Sequence, residues 1–210
     1  MTRIISGAAG GTTLTSVDGN GTRPTTDRVK EALFSSLESY GVVHGAHVLD
    51  LYAGSGSLGV ESASRGAASV DLVESADRAA AVAQRNADLV NRVLGWTAVR
   101  VHRTKVETYL DRVAPELTWD LVLMDPPYTV REDGVVAVLA ALETRLAEGA
   151  VVVVERSART PEPAWPAWLE RFSDKKYGET RLWFLEPVVE SDVESDVDSD
   201  GDSAGEASAD

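Results

Sequence analysis

Four consecutive residues, Asp125-Pro126-Pro127-Tyr128, carry the clearest chemistry in this chain. They place a carboxylate, two prolines and an aromatic ring directly after the apolar run Leu121-Val122-Leu123-Met124, which reads as a buried strand ending in a turn. That set suits the holding of a planar amino group for methylation. The Asp125 carboxylate and the Pro126 carbonyl can each accept a hydrogen bond from an exocyclic NH2 group. The rigid Pro126-Pro127 pair fixes where that carbonyl points, and the Tyr128 ring offers a face on which a base can stack. Drawing both N–H bonds to one side localises the nitrogen lone pair, which can then attack an electrophilic methyl. The bland alternative is a Pro-Pro turn behind an ordinary N-cap acid.

The upstream sequence weighs against that alternative. The run Ala46 to Tyr52 reads as a buried strand and flows into Ala53-Gly54-Ser55-Gly56-Ser57-Leu58-Gly59. Small residues there let the backbone turn and approach a ligand closely, and a helix starting near Ser57 would aim free N–H groups at it. A second strand, Ser69 to Glu74, ends in an acid twenty residues after Gly54, where a ribose diol would sit, with Ser75 beside it. Read literally, Gly54 to Gly59 also matches the dinucleotide fingerprint, so NAD has to be considered. Asp50 opposes it, because its charge would repel a pyrophosphate. S-adenosylmethionine has no phosphate and carries a cationic ammonium group that Asp50 can favour. An unpaired acid in an apolar run would be costly, which argues for such a role. The cofactor set is therefore Asp50, Tyr52, Ala53, Gly54, Ser55, Gly56, Leu58, Gly59, Glu74 and Ser75. Thr104 and the backbone of Lys105 and Val106, after a third strand, are candidates for the adenine edge.

These residues need a scaffold, and the hydrophobic pattern describes one. From His47 onward strands (47–52, 69–74, 98–102, 120–124, 150–155) alternate with helices (57–65, 76–91, 105–113, 132–146). This predicts an α/β, Rossmann-like parallel sheet covered on both faces. Strands near 171–177 and 181–185 around Gly178-Glu179 predict an antiparallel C-terminal hairpin, and the loop 161–168 carries Trp165 and Trp168 as core anchors. Residues 1–22, with Asp18-Gly19-Asn20-Gly21, predict a small β-hairpin extension. The expected division is 1–22 extension, 23–186 catalytic domain and 187–210 acidic tail.

The formal charge is −14, yet ten of the 34 acids and none of the 20 bases fall between Glu186 and Asp210. The body is therefore close to neutral. The tail is too poor in apolar residues to order itself and reads as a solvating segment. Absence of Cys excludes disulfides and thiolate zinc sites, and His44, His47 and His102 have no ligand-spaced partner, so no metal is expected. No apolar stretch is long enough to span a membrane or form a signal h-region, so a cytoplasmic protein is expected.

Taken together, the motifs resemble the bacterial 16S rRNA guanine-N2 methyltransferase family that modifies guanine 966 of the small subunit. The resemblance runs over about residues 3–185. It rests on Arg3-Ile4-Ile5-Ser6-Gly7, on the block from Arg23 to Phe34, on Asp50 to Gly56, and on Asp125 to Tyr128. It implies a methyltransferase domain using S-adenosylmethionine, in which Asp125, Pro126, Pro127 and Tyr128 position the guanine 2-amino group. It also implies RNA contacts from Arg3, Arg23, Thr25, Thr26, Arg28 and Lys30, with 16S rRNA or the assembling small subunit as partner. A monomer is the expectation. Where the family carries several cations after its first glycine, this chain reads Ala8-Ala9-Gly10-Gly11-Thr12-Thr13, which predicts weaker phosphate contacts and a flatter salt dependence. The competing readings are a DNA adenine-N6 methyltransferase, which lacks room here for a target-recognition domain between 129 and 150, and a protein glutamine methyltransferase, which favours Asn at the first motif position. A third is a non-catalytic RNA-binding assembly factor.

Overall fold

The computed structural model describes residues 2–17 and 27–189. The expected Asp18-to-Gly21 turn and nearly all of the acidic tail lie outside the described residues, as do Arg23, Thr25 and Thr26. Two short strands, β1 (Thr2–Arg3) and β2 (Thr13–Leu14), pair antiparallel at the start of the chain. Helix α1 (Asp27–Ser39) follows, with Val29, Leu33, Phe34 and Leu37 buried at helical spacing.

Strand and helix then alternate: β3 (His47–Leu51), α2 (Ser57–Ser64), β4 (Ser69–Glu74), α3 (Asp77–Leu94), β5 (Val99–Arg103), α4 (Val106–Arg112), β6 (Trp119–Met124), α5 (Glu132–Ala140) and β7 (Leu146–Ser157). Strands β8 (Leu169–Tyr177) and β9 (Thr180–Pro187) close the chain. The seven-stranded sheet has the order β5-β4-β3-β6-β7-β9-β8, parallel through β7 and antiparallel across β9 and β8. This is the α/β architecture with a C-terminal antiparallel hairpin that the alternation predicted.

One pair of boundaries differs. The expected helix 132–146 stops at Ala140, and β7 begins at Leu146 instead of 150. Leu142 is fully buried, so the apolar period runs on through a turn in which Arg145 donates to the Leu142 carbonyl. The register then jumps, with Trp119 facing Leu146 but Leu121 facing Val151. Periodicity could not separate a buried turn from another helical turn.

The two faces of the sheet bury different sets. Val48, Val70, Leu72, Leu121, Leu123, Val151 and Val153 pack beneath α1, α2 and α3, together with Ile4 and Leu14 of the extension. Leu49, Leu51, Val73, Val122, Met124, Val152 and Val154 pack beneath α4 and α5. Each fully buried Leu or Phe contributes ~1.5–3 kcal/mol.

The extension is held on the first face by a buried carboxylate. Glu61 of α2 accepts the Ile5 N–H (2.7 Å), the Ser6 N–H (3.0 Å) and Nε of Arg65 (2.8 Å). Lys30 lies 3.5 Å from the same carboxylate and donates to the Arg3 carbonyl, and both side chains are fully buried. Gly7 then passes against the end of α2, where a Cβ would lie 1.9 Å from the Ser64 carbonyl oxygen. Any side chain there would push the strap off the helix. Replacing Lys30 with Met should cost about 3–5 kcal/mol, because the Glu61 charge stays buried with one cation fewer. Urea unfolding checks this, and a loss under about 1 kcal/mol would show that the pair is dispensable.

Candidate active site

The strand order reverses between β3 and β6, and open α/β sheets bind ligands outside the carboxyl ends of strands at such a point. Both predicted motifs meet there. In the register Leu51 pairs with Met124, so Tyr52 and Asp125 leave neighbouring strands at the same level. The Asp125 N–H points back to the Leu51 carbonyl at 3.5 Å.

On the β3 side, Asp50 is buried and its Oδ2 accepts the Gly59 N–H at 2.9 Å. Gly59 has to be glycine in this packing, since a Cβ would stand 2.2 Å from Leu72 and 3.1 Å from that carboxylate. Burial, with Asp125 and Glu74 nearby, pushes the Asp50 carboxyl up to about 7 against the Gly59 hydrogen bond. Glu74, ending β4, accepts the Gly54 N–H (2.9 Å) and the Ala76 N–H (2.7 Å). The second acid thus ties the glycine loop to the neighbouring strand.

On the β6 side, burial pushes Asp125 up to about 6, and the Arg156 guanidinium pulls it back down. Pro126 is buried, Pro127 is exposed, and the Tyr128 ring is 77 % exposed. A polar acceptor pair therefore sits beside an open aromatic face.

The remaining predicted residues fall into groups. Ala53, Gly54 and Ser55 are half-buried in the loop, while Gly56 and Leu58 are buried where α2 begins. Ser75 is exposed beside Glu74. The Thr104 N–H donates to the carbonyls of Glu74 and His102, which brings that segment next to the second acid. Lys105 is exposed and Val106 is buried at the start of α4. Arg3 is 65 % exposed near Asp27, and Arg28 is exposed. Lys30 contradicts the expectation of a phosphate contact. Its ammonium is buried on Glu61 and the Arg3 carbonyl, because the extension covers that face of α1.

Several residues that shape the site were not in the sequence-derived set. Buried Asn86 of α3 accepts the Thr15 N–H and donates to the carbonyls of Thr15 and Ser55, pinning the extension to the glycine loop. Its signal was an amide among the core-facing alanines of α3. Glu61 and Arg156 left no comparable trace. A concavity between α3 and β5, lined by Asn91, Arg92, Trp96 and Arg100, gathers none of the site residues.

With this geometry established, likeness to known proteins becomes informative. Residues 2–186 match the family described as Conserved hypothetical protein 95. The chain belongs to this family. It is 34% identical over 194 residues to the Escherichia coli protein named ribosomal RNA small subunit methyltransferase D, covering 90% of this chain and 93% of that one. It is 33% identical over 182 residues to the Bacillus subtilis putative rRNA methyltransferase YlbH, covering 85% and 95%. The solved structure of the Escherichia coli putative methyltransferase yhhF superposes with a TM-score of 0.72 at 30% identity, covering 89% of this chain and 97% of that one. The family membership and this architecture make the chain an S-adenosylmethionine-dependent methyltransferase.

The residues fit that cofactor. The outer side of Gly54 is open, with a Cβ meeting nothing nearer than the Tyr52 carbonyl at 4.0 Å. Glu74 borders this opening through its hydrogen bond to the Gly54 N–H, and Asp50 lies buried behind the loop, so that the pair suits a ligand with a diol and a cationic amine. Among the described residues, no group of three or more His, Asp or Glu side chains could hold a metal.

The Asp50 geometry has a pH consequence. Its folded pKa lies above the usual carboxylate value, so its share of stability is fully present below about pH 4 and is lost as pH rises towards and through 7. The full loss is on the order of 4 kcal/mol. Without cofactor, melting temperature should fall between pH 5 and 7.5 and level off above, and Asp50→Asn should flatten that slope. A slope unchanged by the substitution would move the effect to another group.

Proposed function

We propose that this protein methylates the exocyclic N2 amine of one guanine in small-subunit rRNA. The observation that carries the reading is the half-hidden Asp125 and Pro126 beside the open Tyr128 ring, one strand away from the glycine loop. The named activity of the Escherichia coli relative, matched over most of both chains, supports RNA as the substrate class. A duplex adenine reading has less support, because α5 begins at Glu132 and leaves a loop of only a few residues after the tetrapeptide.

When bound, S-adenosylmethionine supplies an electrophilic methyl on a sulfonium centre. The protein does the rest by placement. Tyr128 receives a base splayed out of single-stranded RNA, where unstacking costs little. Asp125 and the Pro126 carbonyl each accept one amine N–H, which draws the hydrogens to one side and frees the lone pair towards the glycine loop. This alignment matters because the guanine 2-amino lone pair is delocalised into the ring. As positive charge develops on nitrogen, the Asp125 carboxylate stabilises it and can take the departing proton, for which its raised pKa suits it.

Transfer of labelled methyl to unmodified small-subunit rRNA, naked and in assembled particles, tests the reading by nucleoside mass spectrometry. N2-methylguanosine at one position is the expected product; methyladenosine or no product would overturn it. Asp125→Ala should lower turnover by ~10²–10⁴ with cofactor affinity retained. Equal losses in turnover and affinity would remove Asp125 from the acceptor role.

A further inference from the structure

On the α4–α5 side of the sheet lies a polar cluster that this chemistry does not use. Arg156 of β7 has a side chain only 8% exposed. It donates to the Val130 carbonyl at 3.2 Å and to the Glu132 carboxylate. Val154 pairs with Met124, so Arg156 stands level with Pro126 one strand over. Its guanidinium thus grips both ends of the segment that joins the tetrapeptide to α5.

Tyr52 reaches the same side from β3. It is the one non-glycine residue among those described with positive φ, at 60°. That conformation sends Leu51 and Tyr52, consecutive residues, to the same hydrophobic cluster. A non-glycine residue in this region is strained and survives where the surroundings enforce it. Tyr52 Oη, Arg156 Nε and Glu132 Oε2 are all buried without a hydrogen-bond partner. Most buried polar groups in folded proteins are paired, and each orphan is a cost to stability. Three orphans around the base of the catalytic segment mark a place built for electrostatics over stability.

We propose that Arg156 is a positioning residue for the methyl-acceptor site: it clamps the segment Tyr128–Glu132 to β7 and supplies the cation that keeps Asp125 a hydrogen-bond acceptor. This rests on the reading of Asp125 as the group that holds the substrate amine. The groups around Asp125 divide by sign. Arg156, level with Pro126 on β7, acts on it as a cation; Asp50 on β3 is the neighbouring acid, with Glu74 next to it on β4, and Glu132 at the start of α5 neutralises part of the guanidinium. Glu107 of α4 acts on the Tyr52 hydroxyl in the same region. Burial, joined by mutual repulsion with Asp50, favours protonated Asp125, and Arg156 opposes both. A protonated carboxyl would offer an O–H where the amine needs an acceptor, and it could not receive the proton.

The test is carboxyl ¹³C NMR titration of the full chain made with labelled aspartate, with the Asp125 signal assigned by its loss in Asp125→Asn. In Arg156→Gln the Asp125 midpoint should move above about 6. In Glu132→Gln it should move below, since the guanidinium loses its counter-charge. Arg156→Lys should keep the midpoint near that of the unaltered protein yet lower kcat about 10-fold, because the shorter lysine side chain cannot bring its nitrogen to the place from which Nη2 donates to both Val130 and Glu132. The acid limb of kcat/KM for methyl transfer should move in the same order. A folded Arg156→Gln variant with an unmoved midpoint overturns the proposal. If that variant does not fold, an upward or absent shift in Glu132→Gln overturns it instead. Separated midpoints with no methyl transfer to RNA by the unaltered protein would sink the substrate reading and leave the electrostatic role of Arg156 standing.

Discussion

The Glu61 carboxylate is the interaction on which the rest of this structure leans. A charge without solvent is tolerable only when its lone pairs are filled, and here two backbone amides, a guanidinium and an ammonium fill them. The donors come from the extension, from α1 and from α2 itself. Because α2 starts at the glycine loop, the same carboxylate that secures the N-terminal strap also sets the axis along which the loop meets its cofactor. Asn86 repeats the arrangement at the other end of α2, joining Thr15 to Ser55. The strap and the cofactor loop are one mechanical unit.

The carboxyl edge of the sheet obeys an opposite rule. Asp50, Glu74 and Asp125 crowd together there, and burial raises two of them. This arrangement is unfavourable until a cationic ligand arrives, whereas Glu61 is satisfied within the chain. The buried acids of this fold divide in function: the satisfied one stabilises the scaffold, and the frustrated ones recruit a positive charge.

The parts of this design that were legible in the sequence are those whose partners lie close along the chain. The tetrapeptide, the glycine loop and Glu74 each follow a strand, and strand–turn punctuation is a local signal. Apart from the local Glu61–Arg65 pair, Glu61, Asn86 and Arg156 act on residues from 24 to 71 positions away, so no window around them shows what they do. Lys30 was misread for the same reason. A cation on a short amphipathic helix looks solvated until a strap from 27 residues upstream covers it. The overlong α5 had another cause, since a buried turn carries the same apolar spacing as a helix.

The strap also sets an order of events during synthesis. Its hydrogen-bond partners Glu61, Ser64 and Asn86 lie 55 to 71 residues downstream of it. At ordinary elongation rates the first fifteen residues wait on the order of ten seconds before those partners exist. During that interval Ile4 and Leu14, buried in the finished core, have only α1 of that core to meet. The first part of the chain to be made thus waits for α2 and α3 before it is fastened, and its docking closes the core over α2.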